Sequence, residues 1–361
     1  MWDTIQKLEY RARANIETAQ QALTMRLTDR LELPLVGLGG ERLYLTGVTA
    51  LREKEVELNT LYDQLPTHRG VKDTILLDAW SSATIEGAQT TVQQVRAHFE
   101  NPRTKDDRMV INTIAGSSYA YSHPITQTNI RKLWETVVDG VCENGQHRGK
   151  LYRDGMVYIG SASRIIHVPA QPERLPELMS QWFTYRDAET SDLLIHSFVA
   201  HFYFVYLHPF CDGNGRCARI LNASQLYHGG YRKMKSLPLS SAINSQLSGY
   251  YGSLTDSETL LNGADGKWLD LSPFVTYMMD VFERCMVDAA LAGNALTEKE
   301  TKLLERMNKA GIQAEITVKK AAGILVQSES CARAVLNGLV RKGYLTVDMG
   351  KVPYLYSFHK K

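Results

Sequence analysis

The stretch from Ser191 to Leu207 is apolar on nearly every face, through Leu193, Leu194, Ile195, Phe198, Val199, Phe202, Phe204, Val205 and Leu207. A helix without a polar side belongs at the centre of a core, so the fold of this chain has to be built around that segment. The longest apolar runs, such as Phe202 to Leu207, fall short of the roughly 18 residues of a membrane span. We expect no membrane association. The rest of the chain supplies helices to surround the buried one. Trp2 to Arg30, Val48 to Leu65 and Val71 to Ser82 carry helical periodicity, with a break at Leu33 to Gly40 and a stop before Gly87. Val110 to Cys142 gives two more helical stretches around Ser122-His123-Pro124, and a helix starting at Gly215 or Arg216 stops at Gly229-Gly230. Met156 to Val168 reads instead as two short β-rich runs joined by Gly160-Ser161-Ala162-Ser163, the one hairpin expected before the C-terminus.

Charge divides the chain. The whole carries a formal +2, but Leu296 to Lys361 has 12 Lys and Arg against 6 Asp and Glu, leaving 29 against 33 elsewhere. That basic end patterns as three helices, Thr297 to Lys309, Val318 to Leu325 and Ser328 to Lys342, followed by β-like runs at Tyr344 to Val347 and Tyr354 to Phe358. Three helices and a hairpin predict a winged helix-turn-helix. The start lacks the apolar segment of a secretory signal, and the five scattered cysteines include no C-x-x-C pair. A disulfide framework or zinc site is therefore not expected, and a reducing cytoplasm is the expected location.

Between the buried helix and its successor lies His208-Pro209-Phe210-Cys211-Asp212-Gly213-Asn214-Gly215-Arg216-Cys217-Ala218-Arg219. Two glycines let backbone N–H groups converge, and the following helix adds its positive N-terminal end, which makes an anion cradle. Arg216 and Arg219, spaced i, i+3, can both face that anion and suit a polyphosphate. Asp212 offers a hard oxygen of the kind Mg²⁺ accepts together with phosphates. His208 can take a proton near neutral pH. Each residue alone reads better as part of a tight turn with surface arginines; together they point to phosphate-ester transfer. No phosphate-loop, kinase or dinucleotide-binding fingerprint competes with this reading.

The loop resembles the Fic-domain motif, H-P-F-x-[DE]-G-N-G-R-x-x-R, at every specified position, and the wider likeness covers roughly Val110 to Leu254, including Gly149-Lys150-Leu151-Tyr152-Arg153 and Tyr250-Tyr251-Gly252-Ser253-Leu254. This resemblance implies a mainly α fold, a Fic-type helical core with a β-hairpin flap, and transfer of AMP from ATP to a protein hydroxyl group. His208 would be the base and Asp212 the Mg²⁺ ligand. Gly213, Asn214 and Gly215 would line the anion hole, with Arg216 and Arg219 on the outer phosphates. Phe210 reads as a buried anchor for His208. Ser82-Ala83-Thr84-Ile85-Glu86-Gly87 is similar to the family's inhibitory pattern, [ST]-x-x-x-E-[GN]. It implies that Glu86, with Ser82 one helical turn before it, occupies Arg219 and blocks the terminal phosphate; such members are also associated with removal of AMP.

The resemblance further places a target protein on the flap near Met156 to Val168. Tyr250 is a candidate for the nucleoside pocket, with core packing as the alternative, while His167, His196 and His201 read as structural. The expected organisation is a helical region at 1–105, a Fic core at 106–290 and the winged helix-turn-helix at 295–361. The expected function is an autoinhibited protein adenylyltransferase acting on Ser, Thr or Tyr, with ATP as co-substrate and Mg²⁺ as cofactor. The alternative is a DNA-binding regulator whose core senses nucleotide. DNA contact through the C-terminal domain and homodimer formation both stay open as partners.

Overall fold

The computed structural model describes residues 28–65, 71–142, 150–161, 164–263, 266–294, 297–309, 315–342, 344–348 and 353–358. The helix expected from Trp2 to Arg30 therefore falls almost wholly outside the described residues. Two compact units divide the chain, Met1–Ala289 and Ala290–Lys361.

The first unit opens with an antiparallel pair, β1 (Arg30–Val36) and β2 (Arg42–Thr46), and continues through α1 (Val48–Gln64), α2 (Val71–Ile85), α3 (Val92–Ala97), α4 (Lys105–Ser122) and α5 (Ile130–Val138). The short hairpin of β3 (Ile159–Ser161) and β4 (Arg164–His167) leads to α6 (Leu175–Arg186), α7 (Leu193–Leu207) and α8 (Asn214–His228). Next come α9 (Leu239–Asn244), α10 (Leu247–Ser257), a second hairpin of β5 (Leu260–Gly263) and β6 (Gly266–Asp270), and α11 (Ser272–Asn294). The fold is mainly α, and no described helix is long and apolar enough to cross a membrane.

Two β features depart from expectation. The break at Leu33 to Gly40 is in part β1, in which Leu33 and Leu35 alternate into the core around Pro34. The region before residue 105 is therefore not purely helical. Proline breaks a helical pattern but is compatible with an edge strand, and β1 is an edge of the sheet β1-β2-β6-β5. The β5–β6 hairpin is an additional one; its Asn262-Gly263 and Gly266 between Leu260-Leu261 and Trp268-Leu269 are a turn signal that helical periodicity around it obscured. β2 and β6 pair in parallel, so this sheet joins the first and last parts of the unit.

Helix α7 is buried from Leu194 to Leu207 apart from Val205, and it packs between α6, α8 and α1. Trp182 of α6 donates its indole N–H to Ala200 O at 2.8 Å. Capping of α7 comes from another helix. Asp192 at its N-cap makes no side-chain cap bond and instead pairs with Arg52 at 2.8 Å. Glu55 of α1, only 3% exposed, accepts the backbone N–H groups of Leu194 at 2.7 Å and Ile195 at 3.2 Å. These are donors that a helix leaves unpaired, and a carboxylate there also meets the positive end of the dipole.

The second unit contains α12 (Glu298–Lys309), β7 (Glu315–Thr317), α13 (Val318–Leu325), α14 (Glu329–Arg341), β8 (Leu345–Asp348) and β9 (Leu355–Phe358), with strand order β7-β9-β8. Its own core gathers Leu303, Met307, Ile316, Ala321, Leu336 and Tyr356. Thr317 caps the start of α13 through its hydroxyl, and in the turn between the two helices Val326 ends α13 at φ 54 while the Ser328 hydroxyl caps α14.

Burial raises the Glu55 pKa from 4.5 to about 7. A carboxyl whose folded pKa lies above its unfolded one holds its proton more tightly in the folded state. Its contribution is therefore fully present at acid pH and lost as pH rises from about 4.5 through about 7. Urea midpoints measured from pH 5 to pH 8 should fall across that window, and Glu55→Gln should flatten the fall.

Candidate functional site

The exit from α7 positions His208. His208 caps that helix in a left-handed conformation, φ 51 and ψ 60, which a non-glycine residue adopts only when its surroundings hold it there. Arg153 is the main holder. It is 3% exposed, and its guanidinium donates to His208 O at 2.8 Å, Gly155 O at 2.9 Å, Leu207 O at 3.5 Å and Ala170 O, while its backbone N–H donates to Pro209 O at 2.9 Å. Burial lowers the Arg153 pKa, but a guanidinium stays charged. Phe210, fully buried, stacks on Trp134 at a centroid distance of 5.2 Å and fixes the next residue of the loop, as expected for an anchor.

The loop is closed from within. Asn214 accepts Phe210 N–H at 2.9 Å and returns its amide N–H to Phe210 O at 2.7 Å. Both ends of that side chain are thus held by the loop backbone, which fixes Asn214 in place at the start of α8. Gly213, at φ 77, makes the turn into α8, where a Cβ would lie 2.7 Å from Val138 Cγ1. Asp212 receives Gly213 N–H at 2.5 Å, stands 3.6 Å from Arg216 and leaves its side chain 45% exposed. Its carbonyl accepts the Trp134 indole N–H at 2.9 Å.

Both arginines of α8 are buried. Arg216 donates to Val137 O at 3.1 Å, and its Nε has no hydrogen-bond partner among the described residues. An orphaned cationic donor in a buried site fits an anion that arrives from outside. Arg219 donates to Ser82 Oγ at 2.8 Å, Ser82 O at 2.9 Å and Glu86 Oε1 at 2.6 Å. Burial opposes its charge, yet Glu86 more than compensates and its pKa is raised. Glu86 comes this close because residue 215 is glycine: a Cβ there would sit 2.1 Å from Glu86 Oε1. Ser82, Glu86, Arg216 and Arg219, separated by most of the first unit in sequence, thus converge around the start of α8.

His208 Nδ1 lies 3.3 Å from Val205 O. That contact assigns the proton to Nδ1 and leaves Nε2 as the basic nitrogen. Burial lowers the His208 pKa to about 4, with Val205 and Glu86 pulling up and His167 and Arg153 pulling down. At neutral pH the ring is an uncharged base.

Other candidates border this cluster. Tyr250 is 2% exposed, and its hydroxyl meets His201 Nε2 at 2.9 Å among Phe274 and Tyr277. Its ring packs in the core and its hydroxyl lies close enough to Arg219 to feel that charge, while its neighbour Tyr251 is 48% exposed. His167 bridges Glu258 at 2.7 Å and Tyr206 O at 2.8 Å, and His196 stacks on Tyr185, both structural as expected. No group of three or more His, Cys, Asp or Glu able to hold a metal occurs among the described residues. Asp212 is a single half-exposed carboxylate beside an arginine-lined cradle. That donor set fits Mg²⁺, which takes one or two carboxylates and completes its shell with substrate phosphate and water.

Arg153 stands in the sequence without an evident role. Its charge inside a run that precedes a hairpin was the available signal, but its partners are backbone carbonyls that no side-chain pattern records. Arg153→Ala should cost about 3 kcal/mol of stability, since it strips a buried charge-assisted donor from several carbonyls. Chemical denaturation of the purified protein measures this, and Arg153→Lys should recover only part of it, because an ammonium lacks the planar fork.

Residues 124–226 match the Fic/DOC family model. The chain is 29% identical over 182 residues to protein adenylyltransferase Fic of Nematostella vectensis, covering 46% of this chain and 41% of that one. It is 25% identical over 296 residues to protein adenylyltransferase Fic of Drosophila mojavensis, covering 78% and 55% respectively. The chain spans about half the length of the curated relatives it matches. In fold it is similar to a Fic family protein from Desulfovibrio desulfuricans, with TM-score 0.57, 20% identity, and 87% of this chain and 96% of that one covered. The motif loop lies inside the segment that matches the Fic/DOC family model.

Proposed function

We propose that this protein is an autoinhibited adenylyltransferase that moves AMP from ATP to a Ser, Thr or Tyr hydroxyl of a target protein. The observation that carries the reading is the neutral His208 imidazole, its Nε2 left basic, held at the mouth of a loop that leads into two buried arginines. The names of the relatives support the same class of reaction.

In the proposed reaction His208 Nε2 takes the proton of the target hydroxyl as its oxygen attacks the α-phosphorus. The bond from that phosphorus to the bridging oxygen breaks, and pyrophosphate leaves. Backbone N–H groups at the start of α8, from Gly213, Asn214 and Gly215, stabilise charge on the transferred phosphate. Arg216 and Arg219 hold the outer phosphates. Asp212 would hold Mg²⁺, which supplies charge neutralisation on the phosphates when bound.

The target would dock by strand addition to the β3–β4 hairpin, where Tyr158, Ile165 and Ile166 are exposed apolar side chains. Glu86 restrains the reaction by occupying the Arg219 guanidinium that the terminal phosphate needs. A glutamate in that place also suits activation of a water that removes AMP from the target.

Labelled-AMP incorporation tests this. Glu86→Gly should raise transfer, self-modification included, by at least tenfold, about 1.4 kcal/mol, and His208→Ala should abolish it. Incorporation untouched by both changes would sink the mechanism. Because the base titrates near pH 4, kcat/KM of Glu86→Gly should stay level from pH 6 to pH 8 and fall only below about pH 5.

A second reading concerns the basic unit from Leu296 to Lys361, with 12 Lys and Arg against 6 Asp and Glu. Its helices α13 and α14 meet at a capped turn and are followed by the β8–β9 pair, an arrangement suited to a winged helix-turn-helix. Lys319, Lys320 and Arg333 are exposed there. In this reading the Fic domain would sense nucleotide for a DNA-binding regulator. A gel shift that is selective among duplex sequences, weakens with rising salt and is reduced by Arg333→Ala is the expected result; no retardation at low salt would rule the reading out.

A further inference from the structure

Cys142 and Cys211 are far apart in sequence, yet their sulfur atoms stand 3.8 Å from one another, and both residues are half-buried. A disulfide has its sulfurs about 2 Å apart, so the pair is within a side-chain rotation and a small backbone shift of bonding. Neither position is an incidental surface site. Cys211 lies in the motif loop between the anchor Phe210 and Asp212. Cys142 lies just past α5, in a turn where its backbone N–H donates to Val138 O at 3.2 Å.

The backbone around each sulfur is tied down, in part by the other element. On the α5 side, Asn112 donates to Val137 O at 3.4 Å and Asp139 O at 2.7 Å, and Arg216 donates to Val137 O at 3.1 Å. On the loop side, Asn214 closes the turn and Trp134 holds the Asp212 carbonyl. Gly213 already lies against Val138. A bond between the sulfurs would therefore join two elements already in contact, one of which carries the Asp212 carboxylate.

We propose that Cys142 and Cys211 form a reversible regulatory disulfide that locks the motif loop to the end of α5 and lowers AMP transfer. The effect on transfer rests on the adenylyltransferase reading above; formation of the bond does not. The oxidant is hydrogen peroxide. One thiol is oxidised to a sulfenic acid as the O–O bond breaks, and the first water is released. The second sulfur then displaces the sulfenic hydroxyl, the S–S bond forms, and its proton leaves with that hydroxyl as the second water. Two electrons pass from the sulfurs to the peroxide, and a dithiol reductant reverses the change. A bond made and broken in this way is compatible with a reducing compartment, where persistent structural disulfides are rare.

Closing the sulfur gap from 3.8 Å to about 2 Å would shift the loop that carries Asp212, and misplacement of about an ångström in such a site costs about tenfold or more in rate.

The test uses the full chain carrying Glu86→Gly, treated with peroxide, alkylated, and digested without reductant. Mass spectrometry should recover a peptide joining Cys142 to Cys211, lighter by two hydrogens than the two thiol peptides together. AMP transfer should fall about tenfold and return after dithiothreitol. Adding Cys142→Ser, or Cys142→Ala as a second variant, should abolish both the cross-link and the peroxide effect. Recovery of both thiols alkylated, or cross-linking only to Cys217, Cys285 or Cys331, overturns the proposal. A Cys142–Cys211 bond that leaves transfer unchanged overturns its regulatory part. If Glu86→Gly transfers no AMP before oxidation, the functional reading fails, while the peptide map still decides the bond.

Discussion

The arrangement of the site depends on how the chain leaves its most buried helix. Helix α7 cannot end in solvent, because its last turn is enclosed, so its terminal carbonyls need donors from elsewhere in the fold. Arg153 supplies them to Leu207 and His208, and the same guanidinium also donates to Gly155 and Ala170. Burial keeps the His208 imidazole neutral, and the Arg153 charge adds a smaller push in the same direction. One side chain thus terminates a helix, holds a non-glycine residue in the left-handed region and reinforces the neutrality of the imidazole. These effects have a single physical origin, a fixed cation surrounded by backbone oxygens.

At the other end of the loop the logic is reversed, because the cations at the start of α8 are not fully satisfied by backbone. Arg216 has a buried Nε with no partner among the described residues, and Arg219 has a carboxylate partner that is itself a third exposed. The loop therefore places a neutral base between a saturated cation and two cations with capacity for an anion. This gradient of satisfaction gives the site a direction. In the proposed reaction a polyphosphate would bind at the α8 end, and the atom to be deprotonated would lie at the α7 end.

Much of this could be read from the sequence, and what could not has a common cause. The all-apolar face of Ser191 to Leu207 announced a central helix, and the glycines and arginines of the following loop announced an anion site. Those signals are local, because one helix face or one turn expresses them. The pairing of Ser82 and Glu86 with Arg219 spans much of the first unit and was legible only through resemblance to a known pattern. Arg153 and Glu55 act on backbone groups, which have no letter in a sequence, so their partners stayed hidden. The β1–β2–β6–β5 sheet was missed because its strands are short and its parallel pair joins distant segments. The segment Tyr250-Tyr251 leaves open which ring packs in the core; the position around α10 turns Tyr250 inward, beside Arg219, and Tyr251 outward.

The Glu86–Arg219 contact is asymmetric in a way that suits exchange of the partner. Arg219 is 5% exposed and also bound to Ser82, so it cannot follow a departing carboxylate. Removing its counter-charge without replacement would leave a buried cation short of a partner, which costs several kcal/mol. Glu86 has the opposite situation. It lies just past the last residue of α2, where the negative end of the helix dipole disfavours a carboxylate, and Gly87 at φ 91 frees the chain immediately after it. The glutamate is thus held at its post chiefly by Arg219, while Arg219 needs an anion of some kind. A terminal phosphate satisfies that need with more charge and more acceptor oxygens than a carboxylate does. Under the proposed function, restraint and activation would then share one requirement, that Arg219 is never left alone, and the competition would be decided by which anion reaches it.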